Sequence, residues 1–166
     1  MPVSDKTMER LLDAAIEIEC KAAGIYQALS EQFAQIPGLS AFWQSLNQDE
    51  TEHAAILKDT RMLLSQAQLS MQPSDKMWED MVAIQRMMDQ DPLAAVQTLD
   101  DAYELAHEME SSETNAIFRF LAAECIPSGV RKELVYAVLE RHLKKLADFT
   151  GNFGDREWRQ GIRKIS

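Results

Sequence analysis

Cysteine is scarce in this chain: Cys20 and Cys125 are the only two in 166 residues, and no Cys-x-x-Cys pair exists. The chain therefore cannot build a zinc knuckle or an iron-thiolate centre by itself. Each thiol reads as a small, mostly buried side chain in a reducing compartment. Six glycines and five prolines, gathered at a few places, leave long stretches uninterrupted, and no stretch alternates as a strand ladder does. Basic residues are outnumbered, 17 against 27 acidic ones, for a formal net charge of -10. That sign argues against non-specific binding to nucleic acid or an anionic membrane. No apolar run is long enough to cross a bilayer, and Met1-Pro2-Val3-Ser4-Asp5 lacks a signal peptide's apolar segment. A cytoplasmic protein with one domain and a substantial core is expected.

What abounds is alanine, leucine, methionine, glutamate and glutamine, the residues that favour helices. Apolar spacing in steps of three and four predicts an all-α fold, a four-helix bundle over 1-150 with a tail over 151-166. The first helix should begin at Ser4 or Asp5 and run to about Gln35, where Pro37-Gly38 stops it. Its inward line is Leu12, Ala15, Glu19, Ala22, Tyr26, Leu29 and Phe33. The second, from Leu39-Ser40 to about Gln66, should pair with it as an antiparallel hairpin. A crossover over about 68–91 is too long for a turn and holds a helical candidate after Pro73-Ser74-Asp75, whose Met77, Trp78, Met81 and Met88 can pack on the bundle. A connector of that length lets the third helix run parallel to the second. Asp91-Pro92 has the form of a helix start, so the third helix is predicted from there to Glu124 or Cys125. The fourth should span Ser128-Gly129 to Phe149 or Thr150. Aromatic and basic residues of the tail, among them Trp158, Arg156 and Arg159, should dock on the acidic body or on a second subunit.

Polar residues interrupt the apolar lines at mid-helix. Glu50 and His53 are one turn apart and point with Leu39, Trp43, Leu46 and Leu57, whereas Glu52 does not. Glu19 faces in and Glu17 out; Glu110 and Glu113 lie on the inward line of the third helix and His142 on that of the fourth. His107 sits at the edge of its line and reads as a boundary histidine outside the site. A single inward Glu-x-x-His is common by chance and can be satisfied by hydrogen bonds. Four helices each placing such groups among apolar neighbours is another matter, because buried carboxylates and imidazoles are costly unless paired. Four carboxylates and two imidazoles suit two divalent transition ions, iron or manganese above all. The halves also echo each other: Ala15-Ile16-Glu17-Ile18-Glu19 resembles Ala106-His107-Glu108-Met109-Glu110, and His53 has its counterpart in His142.

With these residues, and with Tyr26 seven positions after Glu19, the sequence from about 8 to 150 resembles the ferritin-like superfamily and, within it, the rubrerythrins. There a Glu on each of helices one and three and a Glu-x-x-His on each of helices two and four hold a di-iron centre. The resemblance implies Glu19 as a terminal ligand of one metal, Glu50 as a bridge and His53 as its imidazole ligand. Glu110 and His142 would be the terminal and imidazole ligands of the second metal, Glu113 a carboxylate that exchanges with redox state, and Tyr26 and Tyr103 hydrogen-bond donors behind the ligands. It further implies two iron ions, with manganese or zinc as substitutes, in an oxidoreductase that reduces hydrogen peroxide or oxidises ferrous iron. No catalytic residue beyond the ligands is expected. The sequence departs from the pattern twice: Leu139 stands where the second bridging Glu belongs, and no paired cysteines exist for a rubredoxin-like donor. The first departure leaves three outcomes open: compensation by Glu113, a weak or mononuclear site, or a non-catalytic iron-binding, regulatory or structural bundle. The second requires an external electron donor. A homodimer is expected, since the family usually associates.

Overall fold

The structure, a computed structural model, describes residues 6–111 and 130–165, apart from the side chains at 130–132, 134, 135, 138, 139 and 143. Helix α1 (Met8–Gln32) starts where the Thr7 hydroxyl accepts the Arg10 amide at 3.3 Å. The expected caps differ: Ser4 and Asp5 lie outside the described residues, and Thr7, in extended backbone, occupies the capping position. The chain reverses through Gly38 (φ +81°), a conformation in which any Cβ is strained, and enters α2 (Leu39–Leu63).

Contacts between α1 and α2 fix their register. Ser30 meets Ser40 (2.8 Å), Asn47 donates to the Ala23 carbonyl (2.7 Å), and Arg61 pairs with Glu9 (2.7 Å) and Asp13 (2.8 Å). Numbers rise along one helix as they fall along the other, so the hairpin is antiparallel and Glu19 comes level with Glu50. After the short helix α3 (Gln66–Leu69), Ser74 caps α4 (Asp75–Asp89), which buries Met81, Ile84 and Met88. Ion pairs Lys6–Asp75 (3.0 Å) and Lys21–Asp89 (2.6 Å) show α4 running parallel to α1. The connector thus carries the chain back along the bundle, and α5 (Leu99–Ser111) runs parallel to α2. Helix α6 (Val130–Ala147) returns antiparallel to both, with Lys145 opposite Ser45 and Asp49, and His142 opposite Glu110. Among the described residues no helix is long and apolar enough to cross a membrane.

Three expectations need correction. The third helix does not start at Asp91-Pro92: Asp91 is left-handed (φ +50°) and makes no side-chain cap, Pro92–Ala95 forms one 3-10 turn, and α5 begins only at Leu99. There Thr98 and Asp101 cap reciprocally, the Asp101 amide donating to the Thr98 hydroxyl (3.2 Å) and the Thr98 amide to the Asp101 carboxylate (2.8 Å). Cys20 is exposed, because it follows Glu19 by one position and so falls on the outer face of α1. The fourth helix ends at Ala147, two residues early, and a separate turn, α7 (Phe149–Phe153), places Phe149 in the core. The predicted continuation of the third helix through Glu113 to Cys125 lies outside the described residues.

The cap of α5 gives a pH test. Burial alone would raise the Asp101 carboxyl, but the amides of Gln97 and Thr98, the Thr98 hydroxyl and the Arg163 charge outweigh it and hold the group below its ordinary value. A lowered folded value means that this stabilisation is present above the usual carboxylate range and is lost as pH falls through the lower one. Thr98→Ala should cost about 1 kcal/mol, and Asp101→Asn should flatten the acid limb of a thermal-melt series.

The tail, with α8 (Arg156–Gly161), lies against its own chain. Leu99 donates to the Ile162 carbonyl (2.9 Å), Lys164 to that of Gln97 (3.1 Å) and Ile165 to that of Gln32 (2.8 Å), and Arg159 is buried against Asp100. This seals the end of the bundle where Phe42, Trp43, Tyr103, Phe149 and Phe153 form one aromatic cluster.

Candidate metal centre

One level of the bundle below those aromatics, the apolar core is interrupted. Helix α1 contributes Glu19 and Tyr26, α2 Glu50 and His53, α5 Glu110 and α6 His142, all buried. The antiparallel register of α1 and α2, and of α5 and α6, brings mid-helix positions from all four to one height.

Glu50 stands at the middle. Its Oε2 lies 2.9 Å from His53 Nδ1 and its Oε1 3.5 Å from His142 Nε2, so its two oxygens face different imidazoles. Glu19 Oε2 is 3.5 Å from the same His53 nitrogen, and Glu110 Oε1 is 2.8 Å from the same His142 nitrogen. The two rings stack at 5.4 Å, inclined by 23°. One ligand atom each from Glu50, His53 and His142 lies within 4.8 Å of the others. The arrangement is two half-sites sharing one carboxylate: Glu19, Glu50 and His53 on one side, Glu110, Glu50 and His142 on the other.

Electrostatics favour a cation there. Burial, then the charges of Glu19 and Glu110, then hydrogen bonds to those same two groups, raise the Glu50 carboxyl well above its ordinary value. Burial and two neighbouring carboxylates thus disfavour a negative charge on Glu50 unless a cation offsets it. Tyr26 is also raised well above its ordinary value, by burial first and then by Glu110 and Glu50, so it keeps its proton and donates to Glu110 Oε1 at 2.7 Å. The donor set, carboxylate oxygens with two imidazoles, fits iron or manganese and admits zinc.

The other expected residues fall elsewhere. The Tyr103 ring stacks on Phe149 at 5.1 Å with the Arg159 guanidinium 4.6 Å from its centroid, and among the described residues its hydroxyl makes no hydrogen bond to these carboxylates. Glu113 lies outside the described residues. Glu140, beside Leu139, is exposed and cannot replace the missing bridge, and Glu17 is exposed as its face requires.

Asp49 was not foreseen. It is 2% exposed, accepts from Lys145 Nζ at 2.7 Å, lies 3.4 Å from Arg141, and has its Oδ2 3.8 Å from His142 Nδ1. It thus faces the His142 nitrogen directed away from Glu50 and Glu110, the place from which a carboxylate orients a ligating imidazole. The signal was present: Asp49 is three positions from Leu46 and four from His53, and Arg141 and Lys145 flank His142 on the opposite helix.

The Rubrerythrin family model matches residues 10–132. The chain belongs to the rubrerythrin family. The matched stretch includes Glu19, Glu50, His53 and Glu110, so this rubrerythrin's first candidate half-site and both carboxylates of the second lie inside it; His142 lies beyond, and its place in the centre rests on its distances to Glu50 and Glu110. No curated protein and no solved structure matches the chain. Family and donor cluster together support a di-iron protein.

Proposed function

We propose that this rubrerythrin is an oxidoreductase that consumes hydrogen peroxide at a pair of iron ions bridged by Glu50, with electrons from ferrous ion or an external protein donor. The observation that supports this reading most is the division of Glu50 between two imidazoles and two further carboxylates. Bound iron would supply the two electrons that, with two protons, take peroxide to two waters.

The residues supply the rest. Glu19, Glu50 and His53 would hold one ion, and Glu110, Glu50 and His142 the other. Manganese or zinc could occupy the same donors without the same redox chemistry. Tyr26 fixes the Glu110 carboxylate through its hydroxyl, and Trp43 and Phe149, fully buried, exclude bulk water from that side. Glu50 would give up its proton when cations bind and serve both half-sites as an anionic donor. These residues include no paired cysteines for an iron-thiolate donor, so reduction between turnovers draws on an external reductant. A homodimer completes the proposal.

Iron-loaded protein should hold about two ions per chain, show near-ultraviolet absorbance that bleaches on reduction, and turn over peroxide when supplied with reductant. One ion or none per chain, without turnover, would replace this reading with a non-catalytic bundle. Glu19→Ala should strip most of the iron and Glu17→Ala none; equal losses would refute the assignment of faces.

A further inference from the structure

We propose that a cavity beside Glu110 is the passage by which divalent cations reach the centre, with His107 as a transient ligand at its mouth. This rests on the metal-centre reading above and adds a route and a residue to it.

The cavity, about 230 Å³, is lined by Tyr103, His107, Glu110, Ser111, Leu146 and Ala147. Glu110 belongs to both places: one oxygen meets His142 and Tyr26, while the residue also lines the cavity. At 8% it is the most exposed of the five described candidate ligands; Glu19 and Glu50 are at 4%, His53 at 2% and His142 at 1%. Approach from the aromatic end is blocked by Tyr26, Trp43 and Phe149, each with no exposure. The Glu110 side is therefore where the centre comes nearest to solvent.

The lining has the polarity a cation needs. His107 and Glu110 are three apart on α5 and share a side, His107 exposed at the rim and Glu110 buried one turn further in. An imidazole followed by a carboxylate repeats the chemistry of the half-sites and lets an ion exchange water for protein donors stepwise. Among the described residues the opposite wall, Leu146 and Ala147, has apolar side chains, so the side-chain donors they leave to the cavity are on α5. The net charge of -10 adds a general attraction for cations. Arg159, over the Tyr103 ring that lines the cavity, has its charge offset by Asp100 at 3.0 Å.

The test is the rate at which metal-free protein takes up cobalt(II), followed by visible absorbance after rapid mixing. His107→Ala should slow uptake several-fold, and Ala147→Trp, an exposed position that fills the cavity, should slow it about tenfold or more. Final cobalt per chain and the absorption spectrum should match the unaltered protein. Unchanged rates in both variants would overturn the passage while leaving the centre intact. A changed spectrum in His107→Ala would make His107 a resident ligand and also overturn it. Failure of the unaltered chain to bind cobalt would overturn the metal centre and the passage together.

Discussion

A chain carrying Glu50→Gln is expected to lose its metal and yet, when metal-free, to be more stable than the unaltered protein. Glu50 is the carboxylate both half-sites share, so its replacement removes an anionic donor from each and iron should fall from about two per chain to a trace. In the metal-free chain the logic reverses. Glu19 and Glu110 both press on Glu50, and its raised folded value makes the contribution of this group fully present below the ordinary glutamate range and lost as pH rises through the higher value. The unaltered metal-free protein should therefore lose stability from mildly acidic to alkaline pH. An amide does not ionise and can donate to one of the two neighbouring carboxylates, so the variant should be flat over that range and about 2 kcal/mol more stable at its alkaline end. Saturating metal, at about a hundred times its dissociation constant, should add about 3 kcal/mol to the unaltered chain and nothing to Glu50→Gln. Thermal melts of both proteins, with and without cobalt(II), at several pH values, read all four states. If Glu50→Gln still gains stability from metal, the shared carboxylate is not the bridge.

The faces of Glu19, Glu50, His53, Glu110 and His142 were legible because each sits mid-helix in a long apolar line, where a period of 3.6 leaves little choice of direction. Asp49 was missed for the same reason that Glu50 was found. A step of four from Leu46 lands on Glu50 and a step of three on Asp49, and the buried face of a helix is wide enough to take both. The start of α5 was misread because two capping patterns compete within eight residues. Asp91-Pro92 is the more familiar one, but Val96 is buried and the backbone at 97 and 99 bonds to that at 164 and 162, so a contact with residues sixty positions away settles the choice. The exposure of Cys20 was a matter of weighting: composition places cysteines inside, whereas the face shared with Glu17 places this one outside, and the local pattern prevails. The charge of the tail pointed to docking, but nothing local in the sequence singles out Asp100 as the carboxylate that receives it.

Arg159→Ala should unfold the end of the bundle at a much lower temperature, by roughly 10 °C in Tm. Arg159 is 4% exposed. Its guanidinium meets Asp100 Oδ1 through Nε (3.1 Å) and a second nitrogen (3.0 Å), gives a third bond to the Gly154 carbonyl (2.7 Å), and lies over the Tyr103 ring. Asp100 is itself 4% exposed, so removing the arginine leaves a buried carboxylate with, among the described residues, only Arg156 (3.2 Å) and Gln160 (3.5 Å) as side-chain partners. Losing one member of a buried pair costs about 3–5 kcal/mol, and the lower part of that range is expected because Arg156 remains. The penalty comes from the stranded charge rather than from the lost attraction, which a second substitution can separate. Arg159→Leu with Asp100→Leu should recover most of the loss, whereas Asp100→Leu alone strands Arg159 and should cost as much as Arg159→Ala. Iron bound per chain at low temperature should be unchanged in all three, since α1 and α2 set the first half-site without the tail. A loss below about 1 kcal/mol in Arg159→Ala would show that the backbone bonds at 97, 99 and 162–165 hold the tail and that the buried pair contributes nothing to its docking.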